Sequence, residues 1–590
     1  MKKKIVLDLE ANGLKPTKIW TVVVMELGTS ELREFRDPLS LGEYLLGVDE
    51  VIGHNVMGYD MPVLKDLWDI WYTGKVTDTL VMSRLANPQR EGGHSLREWG
   101  LRLKMHKGDH SDWSRYSHDM LVYCQQDVRV TEAVYKRLHI ELRGFSEQSI
   151  NLEHEIQREV SLQERNGWLF DEEGAIRLLQ TLEGELDDIT RQVHERFRPR
   201  TKEHRPVTLK KTKGGAWHKG NLKFLLDHYA CVDGDPSLAS HLCRVEYREF
   251  NLGSRKQIAE RLILAGWKPP KYTDKGNVIV DESTLGDVNF LEGKLIARYL
   301  MLQKRIAMVH SWLDHMDSDG RIHGQVNALG TQTNRMTASN PNLQQVVAGH
   351  SEYGQEMRSL FIVPQDKVLV GADLSGLELR CLAHYMKDPE YTRELLGGDI
   401  HIVNGRSAGF ISDGMSEEQV EDGRNKAKRF IYAFLYGGGD QLIGSLVGAG
   451  RAKGKKIKEQ FLQGTPALAE LRAKVEKASR RGYLRALDDR RIYVRSPHSA
   501  LNFLLQSAGS IIAKTSWARF HALMKRDHPE ISYKQLGVIH DEIQIETDPE
   551  TSETVGKTIV KAMEDSTGIL ELDCPITGKY MVGRSWSDTH

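Results

Sequence analysis

Short apolar runs separated by polar turns dominate the first part of the chain. Lys4-Ile-Val-Leu7, Trp20-Thr-Val-Val-Val24 and Glu50-Val-Ile-Gly53 each read as a buried strand, with helical stretches between them, which predicts a small α/β domain over residues 1–145. From Ile150 the period lengthens, and Leu152, Ile156, Val160 and Leu162 open a long amphipathic helical run that continues through Val193. Helices dominate to about Asp314, and from Arg321 strand-like runs alternate with long helices. Lys367-Val-Leu-Val-Gly-Ala372 reads as a buried strand that stops at Asp373, after which Leu377–Met386 resumes at helical spacing. A helical middle runs from about Pro389 to Arg491. The apolar runs 536–539 and 543–545 then read as a hairpin with His540-Asp541 at its tip.

Composition narrows the class. At 590 residues the chain is long enough for about three or four domains with full cores. Its five cysteines, Cys124, Cys231, Cys243, Cys381 and Cys574, show neither CxxC spacing nor disulfide density, so free thiols in a reducing cytosol are expected and structural zinc is not. The opening Met-Lys-Lys-Lys-Ile-Val-Leu-Asp is interrupted by Asp8 and Glu10 too early for a signal peptide, and no apolar stretch approaches the ~20 residues of a membrane span. A soluble, cytoplasmic protein is the expectation. The net charge of −1 argues against a simple DNA-coating protein, although basic grooves and acidic centres cancel in a sum while their local fields stay separate.

Three groups of residues carry candidate chemistry. Asp373 and Asp541 each end a β-prone run, which suits a turn former but also suits a pair of metal ligands for phosphoryl transfer. Steps of four place Arg424, Lys428, Tyr432 and Tyr436 along one helix face that ends at Gly437-Gly-Gly439, so cations for a triphosphate precede flat rings for a base; an ordinary basic surface helix shares that pattern. At the front, Asp8-Leu-Glu10 follows the first strand, Asn55 and Asp60 lie in one loop, and Tyr123 shares a helix face with Asp127. Four clustered acids would repel each other strongly without cations. Residues 196–223 are rich in Lys and Arg, and Pro199, Pro206 and Gly214-Gly215 punctuate them as irregular; the segment is either a solvated loop or a contact for DNA or a partner.

The segments Asp373-Leu-Ser-Gly-Leu-Glu-Leu-Arg380, Arg424 to Gly437 and His540-Asp541-Glu542 resemble motifs A, B and C of family A DNA polymerases, the DNA polymerase I family, in order and spacing. Further matches are Thr333-Asn-Arg-Met-Thr337 with Pro341-Asn-Leu-Gln344, Arg358 with Phe361, Asp399-Ile-His401, and Asn502 with Gln506. The front acids resemble the DEDDy pattern of 3′-to-5′ exonucleases. The resemblance implies Asp373 and Asp541 as metal ligands, with Glu542 a supporting acid. It implies His401, Arg424 and the catalytic cation Lys428 on the triphosphate, and Tyr432 and Tyr436 in the nucleotide site, Tyr432 packing on sugar and base. Glu378 is implied as the steric gate against a ribose hydroxyl, accepting a hydrogen bond from Tyr432, and Arg335, Arg358, Asn502, Gln506 and His540 as primer-template contacts. At the exonuclease site it implies Asp8, Glu10, Asp60 and Asp127 as ligands and Tyr123 as the water-positioning residue. Two Mg²⁺ ions are implied at each site.

The fold so implied is α/β and α+β multidomain: an RNase H-like exonuclease domain at 1–145, a thumb at 146–325 with a basic insertion at about 196–251, palm at 326–388, fingers at 389–495, and palm again at 496–590. Within the family the chain is most similar to the phage T-seven type, from Asp8-Leu-Glu-Ala-Asn12 through Asp78-Thr-Leu to Trp586. Polymerases of that type carry a thumb insertion that recruits host thioredoxin. The stretch here is shorter and keeps only its basic character, which argues against a thioredoxin-like processivity factor; primer-template DNA, dNTPs and a replicative helicase-primase are the other implied partners. Localisation would be the host cytoplasm. Two alternatives remain: a single-subunit RNA polymerase, against which Glu378 and the front acids argue, and a catalytically inactive replication or interaction protein.

Overall fold

The computed structural model describes residues 2–590 except 107, 204–206, 209, 221–222, 224–240, 243–244, 274, 287 and 289. The chain forms two compact units, Met1–Asp171 with His315–His590, and Glu172–Asp314. Among the described residues no helix is long and apolar enough to cross a membrane.

The first unit opens with a five-stranded sheet in the order Leu32–Phe35, Ile19–Glu26, Lys4–Ala11, Glu50–Gly53, Lys75–Asp78. The first three strands are antiparallel, and Glu50–Gly53 joins Lys4–Ala11 in parallel. Both faces of the central strand are buried, which is why it reads as a continuous apolar run. Ile5, Leu7 and Leu9 enter one core, whereas Val6 enters another with Cys124 and Val128 of helix His118–Glu141. The period of two therefore turns Asp8 and Glu10 toward that helix. These acids lie inside the strand rather than after it.

The helical run expected from 150 to 193 is two helices, Glu147–Asn166 and Glu172–Arg196, because Gly167 at φ +60° ends the first and Trp168–Phe170 pairs as a strand. The first of them packs within the unit that holds the C-terminal sheet. Gln163 Oε1 accepts from Gln535 Nε2 at 2.8 Å, and Asn166 Nδ2 donates to Gln535 O at 2.9 Å.

The C-terminal sheet has the order Tyr533–Ile539, Glu542–Thr547, Val368–Leu374, Gly578–Gly583, all antiparallel. Helix Ser552–Ile569 lies against it, and helix Ala500–Asp527 packs on Ser552–Ile569. Ala500–Asp527 is buried nearly all round, as a central helix must be when both sides are core. It carries Lys514, whose Nζ reaches Glu153 at 2.7 and 2.9 Å and Ala328 O at 2.8 Å. Glu153 also pairs with Arg490, which holds Asp488 at 2.6 Å. The four charged side chains are fully buried, so each sign is compensated inside the protein.

Between the two halves of that sheet the chain is helical as expected, from Pro389–Gly397 to Pro466–Ser479, and closes with the hairpin Tyr483–Arg485 with Arg491–Tyr493. In the second unit, helices Glu172–Arg196 and Leu291–Asp314 run antiparallel, joined by Arg196–Glu292 at 2.9 Å and Arg298–Glu185 at 2.7 Å. The basic segment is not irregular throughout: Arg200–Glu203 pairs with Val245–Arg248, and Val207–Thr208 with His241–Leu242. Much of the remaining stretch to 251, with Cys231 and Cys243, lies outside the described residues. Cys124, Cys381 and Cys574 are free and buried.

Candidate active sites

The C-terminal site begins with local chemistry. The hairpin turns at His540, whose φ of +59° is a left-handed conformation that lets Ile539 and Glu542 pair across it. Leu374 N donates to Asp541 O at 3.1 Å, and Asp373 stands opposite Glu542 in the ladder. Directly opposed residues share a sheet face, so Asp373, one residue before the end of its strand, and the hairpin acids converge. Burial, and then Asp541, push the Asp373 carboxyl up to about 7; burial, and then Glu378, push Asp541 up to about 6. Neighbouring half-buried carboxylates so destabilised as anions are the donor set that a divalent cation stabilises. Glu542 differs. It is buried and already accepts from Trp586 Nε1 at 2.6 Å, from Gln544 Nε2 and from His590 Nδ1 at 2.7 Å, which fits a supporting acid better than a ligand.

Helix Glu417–Leu435 supplies the cationic wall. Ser416 and Gln419 form a capping box at its start, two acids fill its first turn, and Gly437 at φ +78° ends it. Ala427, Phe430, Ile431 and Phe434 bury one face, which leaves Arg424, Lys428 and Tyr432 on the other. Arg424 Nε holds Asp399 Oδ2 at 2.6 Å, and Asp399 caps helix Ile400–Ser407 through the amides of His401 and Ile402. His401 is thereby set beside Arg424 and Lys428, and burial, reinforced by those cations, keeps its imidazole below the usual value. Lys428 is exposed and makes no ion pair among the described residues.

Arg335, Gln344, Glu378, Tyr436, His540 and Asp541 line one cleft. Asn502 Nδ2 donates to Tyr436 O at 3.2 Å, and Thr333 Oγ1 to Gln506 Oε1 at 3.4 Å, so both amides of helix Ala500–Asp527 join the loop and helix that border the cleft. Two expectations need correction. Glu378 accepts its hydrogen bond from Tyr436 Oη, at 2.7 Å, rather than from Tyr432; Tyr436 follows the last helical residue, and the end of the helix delivers its ring to the carboxylate. Arg358 does not face the cleft. It is buried, donates from Nε to Val347 O at 2.9 Å and stacks 4.4 Å from the Trp586 ring, so its role is packing behind Glu542.

The N-terminal acids also converge. Ligand atoms of Asp8, Glu10 and Cys124 lie within 4.8 Å of one another, and Asp60, the first residue of helix Asp60–Trp68, accepts from Leu9 N at 3.1 Å. Asp127 is one turn beyond Tyr123 on helix His118–Glu141 and shares a cleft with Asp8. Burial and the adjacent Asp8 raise the Asp60 carboxyl well above the usual range, and Tyr59 is pushed up to about 12 by burial and the same acids. This donor set fits a divalent cation. Tyr123 is held edge-on by Trp113, with ring centres 5.8 Å apart.

A residue that the sequence reading quoted in a matching segment without giving it a role organises this site. Asp78 is buried and takes the amides of Asn55, Met57 and Leu80 at 2.8–3.1 Å, which fixes the loop leading to Asp60. Its signal was available as an acid immediately before an apolar helical run. Lys579, opposite Asp373 in the ladder, left no comparable signal.

Residues 237–588 match the family model described as DNA polymerase family A. Over 99% of this chain and 100% of each relative, the sequence is 31% identical to the "DNA-directed DNA polymerase" of Escherichia phage T7 and 30% identical to that of Enterobacteria phage T3. Among solved structures, a chain described as the "POL domain of Pol1 from M. smegmatis complex with DNA primer-template and dNTP" superposes with a TM-score of 0.76 at 18% identity, over 100% of this chain and 96% of that one, a likeness of fold. With the family match covering the strands that carry Asp373 and Glu542 and the phage relatives matching end to end, the chain belongs to DNA polymerase family A and is a DNA-directed DNA polymerase.

Proposed function

We propose that this polymerase extends a primer at the Asp373–Asp541 site and removes misincorporated 3′ ends at a second site built on Asp8, Glu10, Asp60 and Asp127. The observation that carries the reading is a pair of separate, at least half-buried carboxylate clusters, each with acids raised by burial and by one another. Mg²⁺ ions bound by each cluster would activate the attacking oxygen and neutralise charge on the leaving group. Primer-template DNA and dNTPs are the substrates this reading requires.

At the first site His401, Arg424 and Lys428 hold the triphosphate, as cations on one side of the fingers helix are suited to do. Tyr432 packs on the sugar and base. Glu378, held by Tyr436, walls off the space where a ribose hydroxyl would sit. Arg335, Asn502, Gln506 and His540 lie along the primer-template path and check base-pair shape through acceptors shared by all pairs. At the second site, Tyr123 orients the attacking water. The sheet order of the N-terminal domain, with three antiparallel strands followed by two in parallel, supports an RNase H-like exonuclease fold at 1–145. The thumb, fingers and palm divisions follow the same reading, with 172–314 as the body of the thumb.

The test separates the sites. Asp8→Ala with Glu10→Ala abolishes degradation of a mismatched 3′ end while extension persists, and Asp541→Ala does the reverse. Degradation retained in the double variant means that the Asp8–Glu10 cluster was misassigned.

A further inference from the structure

The cleft that holds Asp8 and Asp127 has a second wall from far along the chain. Gln325, Asn327, Thr337 and Ser339 line it, all from the antiparallel hairpin Gln325–Asn327 with Thr337–Ser339. That hairpin is fixed. Val326 N donates to Glu164 Oε1 at 2.5 Å, and Asn340 Nδ2 to Gln325 Oε1 at 3.0 Å. Neutral amides and hydroxyls of this kind can bond sugar and phosphate oxygens of any sequence.

Arg84 lines the same cleft from the last turn of helix Thr79–Ala86. It is half-buried, and burial draws its pKa below the usual value, although Asp78 and Glu164 act on it from a distance in the opposite sense. Among the described residues the guanidinium makes no hydrogen bond and no ion pair. A partly desolvated fork of five donors with no protein acceptor is costly, and an entering anion would relieve it. Neither acid serves as that partner: Asp78 takes the amides of Asn55, Met57 and Leu80, and Glu164 takes that of Val326.

We propose that Arg84 is the phosphate contact for a single-stranded DNA 3′ end, which enters between the N-terminal sheet and the hairpin Gln325–Asn327 with Thr337–Ser339. The proposal rests on the exonuclease reading given above and names how that site receives its strand. A bidentate guanidinium on a backbone phosphate would set the terminal linkage over the acids without reading a base.

The experiment compares the full-length enzyme with Arg84→Gln and Arg84→Lys on a short single-stranded oligonucleotide. Steady-state degradation is measured, together with fluorescence-anisotropy binding in EDTA over a range of salt. The expected result is a KM about tenfold higher for Arg84→Gln with kcat nearly kept, and a salt slope of binding lower by about 0.7. Arg84→Lys keeps the charge and recovers the salt slope. Unshifted thermal midpoints establish that both variants are folded. An unchanged KM and slope in Arg84→Gln, or a loss confined to kcat, overturns the assignment of Arg84 while leaving the exonuclease reading intact. A parent enzyme that does not degrade the oligonucleotide overturns both.

Discussion

Glu153→Gln tests whether the buried charges of Glu153, Asp488, Arg490 and Lys514 form one compensated unit. In the parent, Glu153 and Asp488 balance Arg490 and Lys514 with side chains at most 1% exposed. Burial draws the Lys514 pKa down to about 8, and Glu153 opposes that fall. Removing the Glu153 charge leaves an excess cation in the core, and breaking such a pair costs about 3–5 kcal/mol. Lys514 is the group able to relieve it, by losing its proton. Its unfolded pKa is near 10.4, above the folded value, so the unfolded chain binds more protons between the two and stability rises with pH there. In the parent that rise starts near pH 8; in the variant it starts lower, because the carboxylate that held the proton is gone. The deficit therefore narrows by about 1.4 kcal/mol for each pH unit by which the Lys514 pKa drops further, and the narrowing is complete above pH 8. Denaturant midpoints followed by tryptophan fluorescence at pH 7 and pH 9, at unchanged slope, give the comparison. A deficit under about 1 kcal/mol at pH 7, or one that is equal at both pH values, refutes the reasoning. Adding Lys514→Met to the variant should return part of the loss, because the remaining pair, Asp488 and Arg490, is neutral.

Glu378→Ala should lower the preference for deoxy over ribo substrates in single-nucleotide insertion. Tyr436→Phe, which removes only the 2.7 Å bond, should lower it less, by about tenfold at most; an unchanged ratio in both variants removes Glu378 from the gate. Tyr432→Phe should reduce the ratio of dideoxy to deoxy incorporation, since its hydroxyl can replace the interaction of the missing 3′-OH near the phosphates, and no fall in competition assays counts against that role. Neutralising Lys210, Lys211 and Lys213 should leave single-nucleotide insertion intact, shorten the products made per encounter and flatten the salt dependence of DNA binding by up to about three units. Unchanged product lengths and slope would mark the segment as a solvated loop.

Much of both sites could be read from the chain because their chemistry is local. A strand, a tight turn and a helix cap depend on neighbours within a few residues, so Val368–Leu374, Leu377–Met386 and the hairpin at His540-Asp541 emerge from period and turn residues alone. The same holds for the cap and glycine stop of Glu417–Leu435 and for Tyr123 and Asp127 on one helix face. Partner choice between distant segments is another matter. Whether Tyr432 or Tyr436 meets Glu378 depends on how the end of one helix lies across another, and a four-residue step gives both rings similar standing in the sequence. The family resemblance implied Arg358 as a DNA contact, whereas in the fold its side chain packs in the core against the Trp586 ring and Val347 O. Glu153 gave no hint of Arg490 or Lys514, each more than 300 residues away, since a buried ion pair is chosen by packing and leaves no periodic trace. The second wall of the N-terminal cleft is of the same kind: Asp8 and Thr337 share it because two layers fold together, and only the folded chain brings residues so far apart in sequence to one cleft.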